Sequence, residues 1–237
     1  MRERIHLGKW DRVGLGRMLR KAAVSGVSER IEYISGQFLG VPYEEATLVG
    51  SLDTLEELVI RLDSVDCFTY IDYVEAMRLS RSFEGFKEQL RRVRYKPGHI
   101  SYATRNHFFT DWIETPRVMD VSAHIGRIEA QKVVKTLNRK SDGSLFLPGI
   151  PERMREVTFV PARALDEETL DRLHTGDYVG IYTETEGLDV SHAGIVVRHE
   201  GRVSLRHASS IERMVVDQDL RGYMSENPGM IVLRPAG

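Results

Sequence analysis

Apolar residues fall three and four apart in the first part of this chain and alternate with polar ones in the last part, so two periodicities must share one fold. Val13, Leu15, Met18, Leu19 and Ala22 recur at near-helical spacing, and Ile31, Ile34 and Phe38 predict a second helix. Leu39-Gly40-Val41-Pro42-Tyr43 ends that pattern, because Pro42 disfavours helix at the residue before it. A third helix is expected over the run through Met77 and Leu79, with Phe68, Ile71 and Val74 on its apolar stripe and Asp63 or Ser64 as its N-cap. From Val157 onward the pattern is of short strands separated by turns: Val157 to Val160, Tyr178 to Thr183, His192 to Val197, Val203 to His207, Met214 to Val216 and Met230 to Leu233. A helix followed by such an antiparallel sheet indicates an α+β fold in which the helix packs across the sheet.

The stretch between these parts, residues 81–155, reads as a short helix around Phe83 to Val93 followed by polar and aromatic irregular segments, including Lys96-Pro97-Gly98-His99 and Asn138 to Gly143. It is expected to be an insert covering one side of a site. The whole, residues 1–237, is expected to be a single domain: N-terminal helices over 1–38, the insert over 81–155 and the sheet over 156–237.

Composition excludes several classes. With 237 residues, 41% of them hydrophobic and 29% charged, the chain can bury a substantial core. Its formal charge of -2 supplies no basic field for nucleic acid or an anionic membrane surface. No run of about 18 apolar residues exists to span a bilayer. Residues 1–26 scatter seven Lys and Arg among short apolar steps, without the continuous segment of a secretory signal. One cysteine rules out an intrachain disulfide. His99, His107, His124 and His174 show no recurring metal-ligand spacing, so neither a metal nor a cofactor is expected. Arg91-Arg92-Val93-Arg94 reads as the solvated face of a helix.

That one cysteine, Cys67, sits where a turn-like stretch gives way to the third helix. The unpaired amides and positive dipole end of a helix N-terminus stabilise a thiolate, which makes Cys67 a candidate nucleophile, although a lone cysteine also serves as a small buried hydrophobe. A nucleophile of this kind needs a base brought to it by folding. His192 opens a strand in Ser191-His192-Ala193-Gly194, and Gly194 on the same face leaves room for a close approach. The next strand carries His207, beyond a tight hairpin at His199-Glu200-Gly201-Arg202. A Glu200-Gly201 loop makes His207 a same-face diagonal neighbour of His192, and a His199-Glu200 loop makes the two directly opposite. A one-residue slip sends them to opposite faces. A second histidine beside the base would fix its tautomer and orientation.

Leu39-Gly40-Val41-Pro42-Tyr43, Asp66-Cys67, Ser191-His192-Ala193-Gly194-Ile195 and His207-Ala208-Ser209 resemble, in order, the four signature blocks of NlpC-type papain-fold cell-wall hydrolases. Gly176-Asp177-Tyr178-Val179 looks like the strand that precedes the base in that family. Two departures stand out: Glu44-Glu45-Ala46 replaces the usual glycines after the Tyr block, and the interval from Cys to His is longer. These departures, with the segments Tyr102 to Ile113 and Phe146 to Pro151, resemble the N-acetylmuramoyl-L-alanine amidase-like branch.

The resemblance implies a papain-like fold and acyl transfer to water: Cys67 attacks a carbonyl, His192 acts as base and then as acid, and His207 orients His192. It further implies that Tyr43 holds the substrate or the developing oxyanion with amides of the Cys helix. Asp66, Tyr102, Arg105, Asn106, His107, Trp112 and Ser191 are the expected substrate contacts, with Arg105 placed to pair a stem-peptide carboxylate and Trp112 or Phe108 to stack on sugar. In an insert such residues also serve to hold the fold. The implied partner is a peptidoglycan fragment, cleaved between muramoyl and L-alanine. Alternatives are a γ-D-glutamyl-diamino acid endopeptidase, a non-catalytic muropeptide-binding module, and transfer to another acceptor. The resemblance implies action in the periplasm or outside the cell, whereas the absence of a visible signal fits a cytoplasmic enzyme acting on imported fragments.

Overall fold

The computed structural model describes residues 2–97 and 100–237, so Gly98 and His99 of the expected irregular stretch lie outside the described residues. The chain divides into two compact units, Met1–Asn106 with Arg206–Asp217, and His107–Leu205 with Gln218–Gly237.

In the first unit, strand β1 (Glu3–His6) pairs in parallel with β2 (Leu58–Arg61), and four helices pack beside them: α1 (Arg12–Ala22), α2 (Val27–Gly36), α3 (Cys67–Arg78) and α4 (Phe83–Arg94). α1 buries Leu15, Met18, Leu19 and Ala22, the face its spacing predicts, and Asp11 caps it by accepting from the Gly14 amide at 2.6 Å. α3 is different, since every residue from Thr69 to Arg78 is buried. Its charged residues are therefore paired inside the fold. Arg94 donates to Asp72 at 2.8 Å and to the Val59 carbonyl at 2.7 Å, and Arg78 grips Glu75. Burial pushes the Asp72 carboxyl up to about 6, with the Arg94 charge opposing the shift.

Arg206 ties the late segment of this unit to α2. It holds Asp217 with two hydrogen bonds of 2.7 Å and reaches the Glu32 carbonyl and the Ser35 hydroxyl at 3.1 Å. A side chain at Gly36 would meet that guanidinium at 3.2 Å, so a glycine suits the position.

The second unit contains β3 (Val118–Asp120), α5 (Ser122–Gly126), β4 (Gln131–Leu137), β5 (Arg153–Pro161), α6 (Glu167–Asp171), β6 (Tyr178–Tyr182), β7 (Val190–His199), α7 (Leu220–Met224) and β10 (Gly229–Pro235), which follows β8 (Arg202–Ser209) and β9 (Met214–Asp219) in the chain. The order β4-β5-β10-β6-β7 continues into the Arg202–Leu205 part of β8, with β3 attached to β10. Pairing is antiparallel between β4 and β5, β5 and β10, β10 and β6, and β6 and β7. Val160, Val179, Ile181, Val196, Leu205, Met230 and Val232 build the core of this sheet, each removal of such a side chain from water stabilising the fold by roughly 1.5 to 3 kcal/mol. Asp177, nearly fully buried, is held by Arg234 at 2.8 and 2.7 Å and by the His174 amide at 2.8 Å.

Mixed helices and an antiparallel sheet are the α+β class expected from the periodicity. Three local expectations are corrected, the first being the solvated face over residues 91–94, because Arg94 turns inward to Asp72 and is 1% exposed. The N-cap of α3 is Asp66, because Ser64 turns its hydroxyl to Glu44 at 2.9 Å and Val65 is bridged to Tyr43. The stretch 81–155 is also less irregular than its polarity suggests: it contains β3 and β4, and β5 starts at Arg153 rather than Val157, because Arg153 to Glu156 pair with Leu137 to Val134.

Candidate active site

Cys67 is the first residue of α3, directly after its cap. Asp66 Oδ1 accepts from the amides of Phe68 at 3.0 Å and Thr69 at 2.7 Å, and the Thr69 hydroxyl accepts from the Asp66 amide at 3.0 Å. This reciprocal box fixes where the helix begins and hence where the thiol sits. The thiol is neither sealed in the core nor fully exposed.

A short extended segment lies beside it. Tyr43 bridges Val65 in parallel, with the Glu44 amide donating to the Val65 carbonyl and the Val65 amide to the Pro42 carbonyl, both at 3.0 Å. On its other side Pro42 bridges Met214, and the Tyr43 amide donates to the Arg213 carbonyl at 2.9 Å. Burial pushes the Tyr43 phenol up to about 12, aided by the negative potential of Cys67, Glu45 and Asp66, with Arg213 opposing. Tyr43 therefore keeps its hydroxyl proton across the neutral range and can donate a hydrogen bond. His207, in the same unit, is buried to 1% exposure within β8, while its chain neighbour Arg206 makes the Asp217 and α2 bonds.

The second unit carries His192 and Ser191. β7 carries a bulge: His192 pairs Ile181 and Val190 pairs Tyr182, which leaves Ser191 as the extra residue. The His192 ring lies 6.2 Å from that of Tyr223, tilted by 36°, a neighbour that carries no sequence signature. Just before β7, Asp189 accepts from the Thr110 amide at 2.7 Å and its hydroxyl at 2.8 Å. Lys135 donates to the carbonyls of Thr183, Thr185 and Leu188, fastening the loop that leads into Asp189. The hairpin after β7 turns at Glu200 and Gly201, both left-handed with φ of 49° and 79°, which is the two-residue type I′ geometry.

The remaining expected contacts are placed as follows. Arg105 grips Glu56 with bonds of 3.0 and 2.5 Å, and its guanidinium lies 5.5 Å from the Tyr102 ring. Asn106 is buried and donates to the Val93 carbonyl at 2.8 Å. The His107 amide is held by Asp111 at 3.1 Å. Trp112 is 3% exposed, stacked on Phe109 and edge-on to Tyr178 at 5.1 Å, and Phe108 is also buried. Among the described residues no group of three His, Cys, Asp or Glu is placed to hold a metal ion, and no helix is long and apolar enough to cross a membrane.

Comparison with known proteins adds three findings. Residues 33–230 match the family model AmiA-like, described as N-acetylmuramoyl-L-alanine amidase-like. The crystal structure of an N-acetylmuramoyl-L-alanine amidase from Bacteroides uniformis is 28% identical, with a TM-score of 0.73 over 94% of this chain and 99% of that one. A Legionella pneumophila protein of known structure shares the fold at 21% identity, with a TM-score of 0.82 over 95% of this chain and 94% of that one. No curated protein matches the sequence.

Proposed function

The chain belongs to the N-acetylmuramoyl-L-alanine amidase-like family, and from that membership we propose that it is a cysteine amidase of NlpC-type, papain-like fold that hydrolyses the bond between muramoyl and L-alanine in peptidoglycan fragments. The observation that carries the reading is the start of α3. A thiol at the first residue of a capped helix, beside a protonated tyrosine, combines an activated nucleophile with an oxyanion donor.

In this reading Cys67 loses its proton to His192 and attacks the lactyl carbonyl. The oxyanion takes a hydrogen bond from Tyr43. Collapse of the tetrahedral species expels the L-alanine amine, which receives the proton from His192, and leaves a thioester on Cys67. Water, deprotonated by His192, then releases the muramoyl acid. His207 is the residue that orients His192. Ser191, the bulged residue, is proposed to re-aim His192 out of the regular pleat.

Digestion of purified muropeptides by the wild-type protein and Cys67→Ala, with products identified by mass, tests the proposal. Release of the sugar acid from an intact stem peptide, by wild type alone, is the expected result. A shortened stem would instead indicate a γ-D-glutamyl endopeptidase, and binding without cleavage a non-catalytic module.

A further inference from the structure

The turn at 210–213 brings a cation to the Tyr43 side of the nucleophile. Residues 213–215, 41–43 and 65 form three adjacent rows: the Tyr43 amide donates to Arg213, Pro42 bridges Met214, the Val215 amide donates to Val41 at 2.9 Å, and Tyr43 bridges Val65, two residues before Cys67. The Arg213 guanidinium lies 5.4 Å from the centroid of the Tyr43 ring. Stacking of this kind pre-organises the planar fork without using its hydrogen-bond donors.

Arg213 is also backbone-strained, with φ of 58°, a left-handed value uncommon for a residue with a side chain. The turn is closed by the Glu212 amide donating to the Ser209 hydroxyl at 3.1 Å. Arg213 is exposed and, among the described residues, pairs with no carboxylate, whereas Arg61, Arg94, Arg105 and Arg206 of the same unit all do. A positioned, unpaired guanidinium against the tyrosine that flanks the nucleophile is suited to a bidentate anion.

We propose that Arg213 is a specificity-determining residue that pairs with a carboxylate on the peptide leaving group, an inference that rests on the amidase reading for the identity of that group. The substrate class is an anionic acyl-peptide amide, distinguished from its neutral carboxamide by this one residue.

Two probes differing only in the carboxylates of the leaving group test it: N-acetylmuramoyl-L-alanyl-D-glutamate, and the same compound with both glutamate carboxylates converted to carboxamides. For turnover, Arg213→Ala is expected to raise KM for the acid roughly tenfold or more, the range for a lost charge-assisted hydrogen bond, with kcat little changed. KM for the amide stays put, and Arg213→Lys recovers part of the loss. Calorimetric binding to Cys67→Ala, with and without Arg213→Ala, reads the same preference independently of turnover. Acid-selective binding without cleavage by the wild type would sink the amidase reading and leave this inference standing. An equal loss on both probes, no loss on either, or no preference for the acid would overturn it.

Discussion

Asp66 and Thr69 hold one another across the first turn of α3, the carboxylate accepting from the Thr69 amide at 2.7 Å and the Thr69 hydroxyl accepting from the Asp66 amide at 3.0 Å. Cys67 lies between them, so the box that starts the helix also aims the thiol. Asp66→Ala is expected to lower stability by about 1 kcal/mol, with Asp66→Asn retaining most of it. Chemical denaturation reads the stability, and alkylation kinetics read the thiol, which should react more slowly in the alanine variant. Unchanged stability and reactivity in Asp66→Ala would remove the box from both roles.

Glu56 is engaged on both oxygens, by Arg105 at 3.0 and 2.5 Å and by the Tyr95 hydroxyl at 2.7 Å. Replacing it with alanine strands a guanidinium whose side chain is 13% exposed, at a cost of about 2 to 3 kcal/mol, below the range for a fully buried pair. Arg105→Ala should likewise lower the unfolding midpoint while leaving KM for soluble muropeptides near the wild-type value. A large rise in KM with no loss of stability would assign Arg105 to substrate instead.

The Lys135 ammonium is enclosed by three carbonyls of the loop before β7. Burial lowers its proton affinity, opposed by Asp189, Glu184 and Glu186. With Lys135→Met those carbonyls lose their donor, so limited proteolysis should cut within residues 183–188 while the wild type resists. Cleavage elsewhere first would show that the loop is held by other means.

Burial pushes the Asp189 carboxyl above its ordinary range, with the Thr110 amide and hydroxyl opposing. A folded-state value above the unfolded one means that the folded chain binds the proton more tightly. The contribution of this group is then full below about 3.9 and is lost as pH rises through the folded-state value. Compared with Asp189→Asn, which has no proton to titrate, the wild type should lose relative stability as pH rises from about 4, and the difference should then level off. Urea midpoints of both proteins across that range check the sign, and a relative gain by the wild type would reverse it.

How much of this could be read in advance depends on where each contact comes from. Helix α1 and the strands of the C-terminal part carry their own periodicity and fall close to their expected places. The parallel pair of β1 and β2 joins residues more than fifty apart, and the short segment Glu3–His6 carries no pattern that names its partner. β4 reads as polar because Lys132, Lys135 and Gln131 sit among its valines, yet backbone pairing with β5 decides its conformation. α3 starts two or three residues beyond the caps its sequence suggests, since Asp63 and Ser64 have the chemistry of caps but Ser64 is engaged by Glu44. Cys67, His192 and His207 stand out in the sequence as candidates because their motifs fall in a recognisable order. Arg213 was not, because its relevance comes from a left-handed turn and from stacking on Tyr43, neither of which has a sequence signature.

The thioester proposed on Cys67 can be trapped by acid quenching during turnover of a muropeptide and detected by mass spectrometry of the intact protein. The expected result is an adduct with the mass of the muramoyl acyl group, mapping to the peptide that contains Cys67 and absent from Cys67→Ala, which should also release no product. Equal product formation by wild type and Cys67→Ala, with no adduct on either, would contradict it.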